Sequence, residues 1–143
     1  MIKTASIVVV NEEGKLLALK RSADRKWYPE KWDIVSGKIR DDETADECFR
    51  REIYEELGIS ELRYVKKIQS PYTYEEDGGK WLVHSFLCKI DHSDIKLNEE
   101  HSEFKWVDLK EFLTLDYAKP LLMEFGVFFD IPANQQITLQ IHK

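Results

Sequence analysis

The chain has 143 residues, of which 43% are hydrophobic and 34% charged, and 27 acidic against 21 basic residues leave a formal net charge of −6. The length favours a single domain over residues 1–143, and the acidic balance argues against a protein that binds a nucleic acid polymer through a broad basic surface. No apolar run is long enough for a signal peptide or a membrane span, and the two cysteines form no CxxC pair, so we expect a cytoplasmic protein with reduced thiols and no membrane partner.

The first half of the chain combines strand-like segments with one strongly patterned helix. The predicted elements, in chain order, are strands over 4–10 and 15–22, a polar and aromatic loop over 22–31, a short strand over 32–37 and a helix over 43–57. Within the helix, Phe49, Ile53 and Leu57 recur at every fourth position and form an apolar stripe that can dock on a sheet. Gly58 suits the helix end, because glycine adopts the left-handed C-terminal conformation without a steric penalty.

The second half of the chain adds further strands and two shorter helices. The predicted elements are strands over 62–74, 80–90 and 103–109, helices over 108–115 and 117–129, and a weakly alternating tail over 135–143 that suits an edge strand. Strands outnumber helices and mix with them irregularly, which predicts a mixed α+β sandwich.

Three glutamates are crowded onto one side of the long helix. At 100° per residue, Glu52, Glu55 and Glu56 fall within an arc of roughly 100°. Like charges at this spacing cost a few tenths of a kcal/mol per pair, which a solvated acidic surface tolerates. Clustered carboxylates also suit a hard divalent cation such as Mg²⁺, which takes oxygen ligands. The helix alone leaves both interpretations open.

The spacing upstream of these glutamates decides between the two. Nine positions of a fixed pattern are filled within residues 37–59, namely Gly37, Glu43, Arg51, Glu52, Ile53, Glu55, Glu56, Gly58 and Ile59. This segment resembles the Nudix box, the signature of the Nudix hydrolase family. The resemblance extends weakly across the whole chain, including the opening strand pair and the strand over 103–109.

The resemblance to Nudix hydrolases implies both a fold and an activity. The fold would be an α/β/α sandwich with a mixed β-sheet and the box helix packed on it. The activity would be metal-dependent hydrolysis, with Mg²⁺ or Mn²⁺, of a nucleoside diphosphate linked to another group. The small size of the chain favours a (deoxy)nucleoside triphosphate or a similar small nucleotide as the substrate.

The resemblance also implies which residues hold the metal and catalyse the reaction. Metal ligands are expected at Gly37, through its carbonyl, and at Glu52, Glu55 and Glu56, one of which would help to orient or deprotonate water. Relatives often supply another catalytic carboxylate from the loop before the strand over 103–109. That loop offers Glu99, Glu100 and Glu103, of which we favour Glu103 because it lies nearest the strand.

Other residues of the pattern have structural or substrate-binding roles in the family. The resemblance implies that Arg51 pairs with Glu43 or a neighbour to brace the motif, that Gly58 ends its helix, and that Lys38 lies near a substrate phosphate.

The loop over 22–31 offers further candidate substrate contacts. Arg21, next to this loop, could reach a phosphate, and Trp27 and Tyr28 could stack on a nucleobase.

Two other activities and one assembly remain open from the sequence. The stretch over 20–39 is similar to isopentenyl-diphosphate isomerases of the same fold, although neither Cys48 nor Cys88 lies in the sequence context that those enzymes require. A non-catalytic Nudix sensor is the other alternative, although such proteins often lose the box glutamates. The tail after Pro132 could add a strand to a second copy, which makes a homodimer possible.

Overall fold

The computed structural model describes residues 1–90 and 94–129. Its elements, in chain order, are β1 (Ile2–Val10), β2 (Leu16–Arg21), β3 (Trp32–Asp33), β4 (Val35–Lys38), α1 (Ala45–Leu57), β5 (Tyr64–Lys67), β6 (Tyr72–Glu76), β7 (Gly79–Lys89), β8 (His101–Val107), α2 (Leu109–Phe112) and α3 (Leu121–Phe128). The predicted tail strand over 135–143, and the homodimer that would use it, lie outside the described residues. Within the described ranges no helix is both long enough and apolar enough to cross a bilayer.

The strands form one mixed sheet with β1 and β7 at its centre. These two strands run parallel, in register from Ile2 opposite Trp81 to Val10 opposite Lys89. The other pairings between these strands are antiparallel: β1 with β2 and β4, β2 with β3 and β8, and β7 with β5 and β6.

Helices cover both faces of this sheet. On one face, the predicted stripe of Phe49, Ile53 and Leu57 packs against alternate residues of β1 and is buried. On the other face, Phe112 of α2 and Phe125 of α3 are buried in a second apolar cluster. The alternation of side chains along a strand explains why one strand serves both clusters. The predicted α+β sandwich is therefore confirmed.

The box helix is shorter at its start than the sequence pattern predicts. Helix α1 begins at Ala45 rather than at Glu43, because Thr44 caps it. The Thr44 hydroxyl accepts from the backbone N–H of Glu47, and the Glu47 carboxylate accepts from the N–H of Thr44, which forms a capping box. At the other end Gly58 adopts the left-handed conformation, with φ of +71°.

Two predicted strands are each divided in two. The segment over 32–37 changes its pairing partner at Ile34: β3, before it, pairs with β2, and β4, after it, pairs with β1. The change occurs because β1 and β2 pair with each other only beside their connecting turn and then have different neighbours. The segment over 62–74 breaks before Pro71, which lacks a backbone N–H, and its two parts, β5 and β6, pair with successive stretches of β7.

Candidate active site

Arg51 ties the loop before α1 to the helix and to the neighbouring strand. Its guanidinium donates to both carboxylate oxygens of Glu43, at 3.0 and 2.6 Å, and to the carbonyl of Lys38 at 3.0 Å. This bidentate pairing holds the pKa of Glu43 at about 2. The contacts fix the shape of the segment from β4 to α1, on which the acidic side chains depend.

Glycine at position 37 leaves the space that the Glu52 side chain occupies. A Cβ atom built at Gly37 would overlap the Glu52 carboxyl group. Glu52 is buried against this bare backbone and accepts a hydrogen bond from Nη1 of Arg51 at 2.6 Å. Close approach of a carboxylate to the strand therefore requires a residue without a side chain here.

Glu52, Glu56 and Glu100 converge on one point. Each provides a carboxylate oxygen, and these three oxygens lie within 4.8 Å of one another. Glu52 and Glu56 are one turn apart on α1, and Glu100 immediately precedes β8. Oε2 of Glu56 is buried and has no hydrogen-bond partner in the described part of the chain. Such an oxygen is normally paired, so this donor set fits a hard cation.

The electrostatics around Glu56 also favour a cation. Burial, followed by the neighbouring carboxylates of Glu52 and Glu100, raises the pKa of Glu56 well above its ordinary value. The buried His101 lies beside it, with Nδ1 3.6 Å from Oε1 of Glu56, which is too long for a hydrogen bond. Burial, together with nearby arginines, lowers the pKa of His101 to about 3. The imidazole is therefore neutral at physiological pH and does not offset the carboxylate charge.

Two of the predicted acidic residues lie outside this cluster. Glu55 is substantially exposed and interacts with Arg51 at 3.3 Å and with Arg40 at 3.8 Å. Glu103 is an exposed residue of β8, opposite Lys20 of β2. Their metal-binding and catalytic roles remain predictions. The structure instead brings Glu100, another acid of the same loop, to Glu52 and Glu56.

A local turn explains how Glu100 reaches the cluster. The side chain of Asn98 accepts from the backbone N–H of Glu100 at 3.0 Å, and Arg25 donates to the Glu100 carbonyl at the same distance. Nη2 of Arg25 also lies 3.8 Å from Oε1 of Glu100. The Asn-x-Glu spacing is typical of such a side-chain turn and was a signal for Glu100 that the sequence analysis, which favoured Glu103, did not use.

Glu52 and Glu100 of this cluster lie at one end of a cleft with a volume of about 620 Å³. The cleft runs across the sheet face opposite α1. Gly37, Lys38, Glu52 and Glu100 line its acidic end, with the Lys38 side chain exposed.

The predicted substrate-binding residues also line this cleft. The Arg21 side chain is held by other residues of the protein: Nη1 donates to Oδ2 of Asp33 at 3.1 Å, and Nε donates to the carbonyl of Trp27 at 2.8 Å. Trp27 is 38% exposed and contacts Trp81 edge to face. Tyr28 donates through its hydroxyl to Glu76. The fold thus brings Arg21, Trp27 and Tyr28 into the same cleft as Lys38 and the box.

The opposite end of the cleft is aromatic and contains a buried acid that the sequence analysis missed. Tyr74 and Trp81 stack with ring centroids 5.1 Å apart. Glu124 of α3, which lines the same cleft, is 2% exposed and accepts hydrogen bonds from Tyr72 and Ser85. The available signal was a single acidic residue within the apolar helical run over 117–129.

Comparison with known proteins supports what the geometry suggests. The NUDIX domain model matches residues 2–124. Nucleoside triphosphatase NudI of Escherichia coli is 29% identical over 126 residues, covering 80% of this chain and 87% of NudI. A prenyl-diphosphate phosphatase of Methanosarcina mazei is 27% identical, covering 82% and 70%. The crystal structure of a MutT protein from Methanosarcina mazei superposes with a TM-score of 0.77 at 29% identity, covering 89% and 91% of the two chains. The chain belongs to the NUDIX domain family and is a Nudix hydrolase.

Proposed function

We propose that this Nudix hydrolase is a metal-dependent pyrophosphohydrolase whose substrate is a (deoxy)nucleoside triphosphate or a similar small nucleotide. The observation that carries the proposal is the convergence of Glu52, Glu56 and Glu100, with one buried carboxylate oxygen unpaired within the described residues, beside an open cleft that Glu52 and Glu100 line. Mg²⁺ is the proposed ion, with Mn²⁺ as a substitute, because all three ligands are carboxylate oxygens.

The protein's own residues would hold the ion and orient the diphosphate. Glu52, Glu56 and Glu100 would be the ligands, and the ion, when bound, would neutralise phosphate charge and activate water. Arg51 keeps Glu52 in place against Gly37. Lys38, exposed at the same end of the cleft, would bind a phosphate oxygen through its ammonium group.

The state of the cysteines disfavours an isomerase-type mechanism that requires a reactive thiol. Cys48 and Cys88 are both fully buried, and burial raises the pKa of each to about 12. A thiol with such a pKa is protonated at neutral pH and is a poor nucleophile or acid–base group. Phosphoryl transfer by positioning and charge stabilisation requires no such group.

A relative named for prenyl diphosphates gives the second candidate substrate class. The aromatic end of the cleft, with Tyr74 stacked on Trp81, could also accommodate an apolar chain. Both candidates share the diphosphate group and therefore the acidic end of the cleft.

The test is a substrate panel assayed with Mg²⁺ and with EDTA. The panel contains nucleoside triphosphates, ADP-ribose, a dinucleoside tetraphosphate and prenyl diphosphates, and the released phosphate, pyrophosphate or nucleoside monophosphate is measured. We expect metal-dependent cleavage of a nucleoside triphosphate above the others. Substitution of the exposed Glu61 by Gln is the matched control and should leave the rate unchanged. Tight nucleotide binding without turnover would contradict the proposal and favour a sensor.

A further inference from the structure

Glu124 is a buried acid with one oxygen still available. Its Oε2 accepts from the Tyr72 hydroxyl at 2.9 Å and from the Ser85 hydroxyl at 2.8 Å. Its Oε1 is buried and has no partner among residues 1–90 and 94–129. The side chain lines the cleft, on the same wall as Tyr72. One half of the carboxyl group is thus held by the protein, and the other half is left for something in the cleft.

An arrangement of this kind is costly unless a ligand uses it. An unpaired polar atom away from water loses its hydration without compensation. Burial raises the pKa of Glu124 to about 8, although the two hydroxyl donors act in the opposite direction. Since Oε2 already accepts two hydrogen bonds, the proton of the neutral acid belongs on Oε1. This oxygen can donate when protonated and accept when ionised.

Aromatic rings lie around the same end of the cleft. Tyr74 and Trp81 stack with an interplanar angle of 5°, and Trp27 contacts Trp81 edge to face with centroids 6.2 Å apart. All three line the cleft together with Glu124. Flat rings beside hydrogen-bonding groups suit a planar heterocycle, which can stack through its face and form hydrogen bonds through its edge.

A row of three serines leads from the acidic end of the cleft to Glu124. Ser36 of β4, Ser6 of β1 and Ser85 of β7 lie side by side in the sheet register. Because neighbouring strands are about 4.8 Å apart, Ser36 and Ser85 are separated by roughly 10 Å. Ser36 directly precedes Gly37 at the acidic end, and Ser85 contacts Glu124. This separation is comparable to the length of a nucleoside monophosphate.

We infer that Glu124 recognises the substrate's nucleobase, with Oε1 hydrogen-bonded to the base edge and with Tyr72 and Ser85 as positioning residues that orient the carboxyl group. The inference rests on the proposed pyrophosphohydrolase function and narrows its substrate class to nucleotides rather than prenyl diphosphates. A prenyl chain would fill the aromatic end but leave Oε1 buried and unpaired. Sites built around a buried polar group reject ligands that lack its partner.

The experiment compares substrate preference between variants of the full chain. The ratio of kcat/KM for a nucleoside triphosphate to kcat/KM for geranylgeranyl diphosphate is measured with Mg²⁺ in the wild type, Glu124→Leu, Glu124→Gln and the control Glu61→Gln. We expect the ratio to fall at least tenfold in Glu124→Leu, mainly through a higher KM for the nucleotide. Glu124→Gln should recover part of the preference, because its amide still offers hydrogen-bonding groups.

The ratio separates recognition from stability, since a folding defect lowers both rates together. If Glu124→Leu does not fold, Glu124→Gln and Tyr72→Phe carry the same comparison, with an expected fall of at least threefold. If the wild type hydrolyses nucleotides and the variants have the same ratio of kcat/KM values, the inference is overturned and the proposed function is unaffected. A wild type without metal-dependent nucleotide turnover would instead overturn the proposed function.

Discussion

Two buried glutamates, Glu56 beside the acidic end of the cleft and Glu124 at its aromatic end, have different surroundings in the protein. Glu56 faces two further carboxylates and a neutral histidine. Glu124 faces two hydroxyl donors. Both have one buried oxygen without a partner among the described residues. The two glutamates are similarly buried but suit different ligands. The crowded negative charge around Glu56 favours a cation, and the partly hydrogen-bonded carboxyl group of Glu124 favours a hydrogen bond.

The acidic end should be most sensitive to loss of charge. We expect Glu56→Gln to lower kcat by on the order of a thousandfold, because a catalytic metal contributes several kcal/mol to transition-state stabilisation. Removal of a buried, crowded charge should leave the melting temperature without metal equal or higher. Steady-state kinetics and thermal unfolding in EDTA provide the measurements. A kcat near that of the wild type would remove Glu56 from the metal site.

The raised pKa of Glu124, at the other end of the cleft, should affect how the free energy of unfolding depends on pH. The pKa of Glu124 is raised to about 8 in the folded protein, so the folded state retains a proton that the unfolded chain releases near pH 4.5. The contribution of Glu124 to the free energy of unfolding therefore falls as pH rises from about 4.5 to 8, by on the order of a few kcal/mol. Urea unfolding of wild type and Glu124→Gln at pH 5 and 8 isolates this contribution, because Glu56 is present in both proteins. Parallel pH profiles would contradict it.

A single methyl group should disturb the acidic end without changing any charge. Gly37→Ala places a Cβ in the space of the Glu52 carboxyl group. We expect a loss of about 1–3 kcal/mol in unfolding free energy, as for other overpacked sites, together with weaker Mg²⁺ affinity. Denaturant unfolding and metal titration would measure both. The shorter side chain in Glu52→Asp should restore part of the stability of Gly37→Ala, and its failure to do so would exclude the steric explanation.

The smallest expected effect concerns the ion pair between Arg51 and Glu43 rather than the glutamates at either end of the cleft. The pKa of Glu43 is held at about 2, so the stabilisation that it provides is present above its ordinary pKa and is lost as pH falls from about 4.5 towards 2. Arg51→Met should remove this acid-sensitive contribution and lower the melting temperature at pH 7 by more than it does at pH 3. Equal losses at the two pH values would show that the Arg51–Glu43 pair contributes little.

Local sequence patterns predicted the box helix, but they did not predict the contacts between segments that are distant in the chain. The stripe of Phe49, Ile53 and Leu57 and the box spacing both lie within a few turns of chain, so periodicity revealed them. Glu100 depends on a side-chain turn that sequence proximity to β8 does not reveal, which is why Glu103 appeared preferable. Glu124 meets Tyr72 and Ser85 only through tertiary packing, and its apolar surroundings in sequence suggested only a core helix.

The parallel pairing of β1 with β7 has a consequence for how the enzyme forms. Ile2 lies opposite Trp81, so the central strands of the sheet join residues from far apart in the chain. Closing so long a loop costs entropy before the pair gains any contacts, and non-local pairings of this kind slow folding. The cleft is lined by residues of both strands, among them Ser6 and Val83, so it is incomplete until this pair forms. Recovery of enzyme activity during refolding should therefore lag behind the appearance of helical signal from α1.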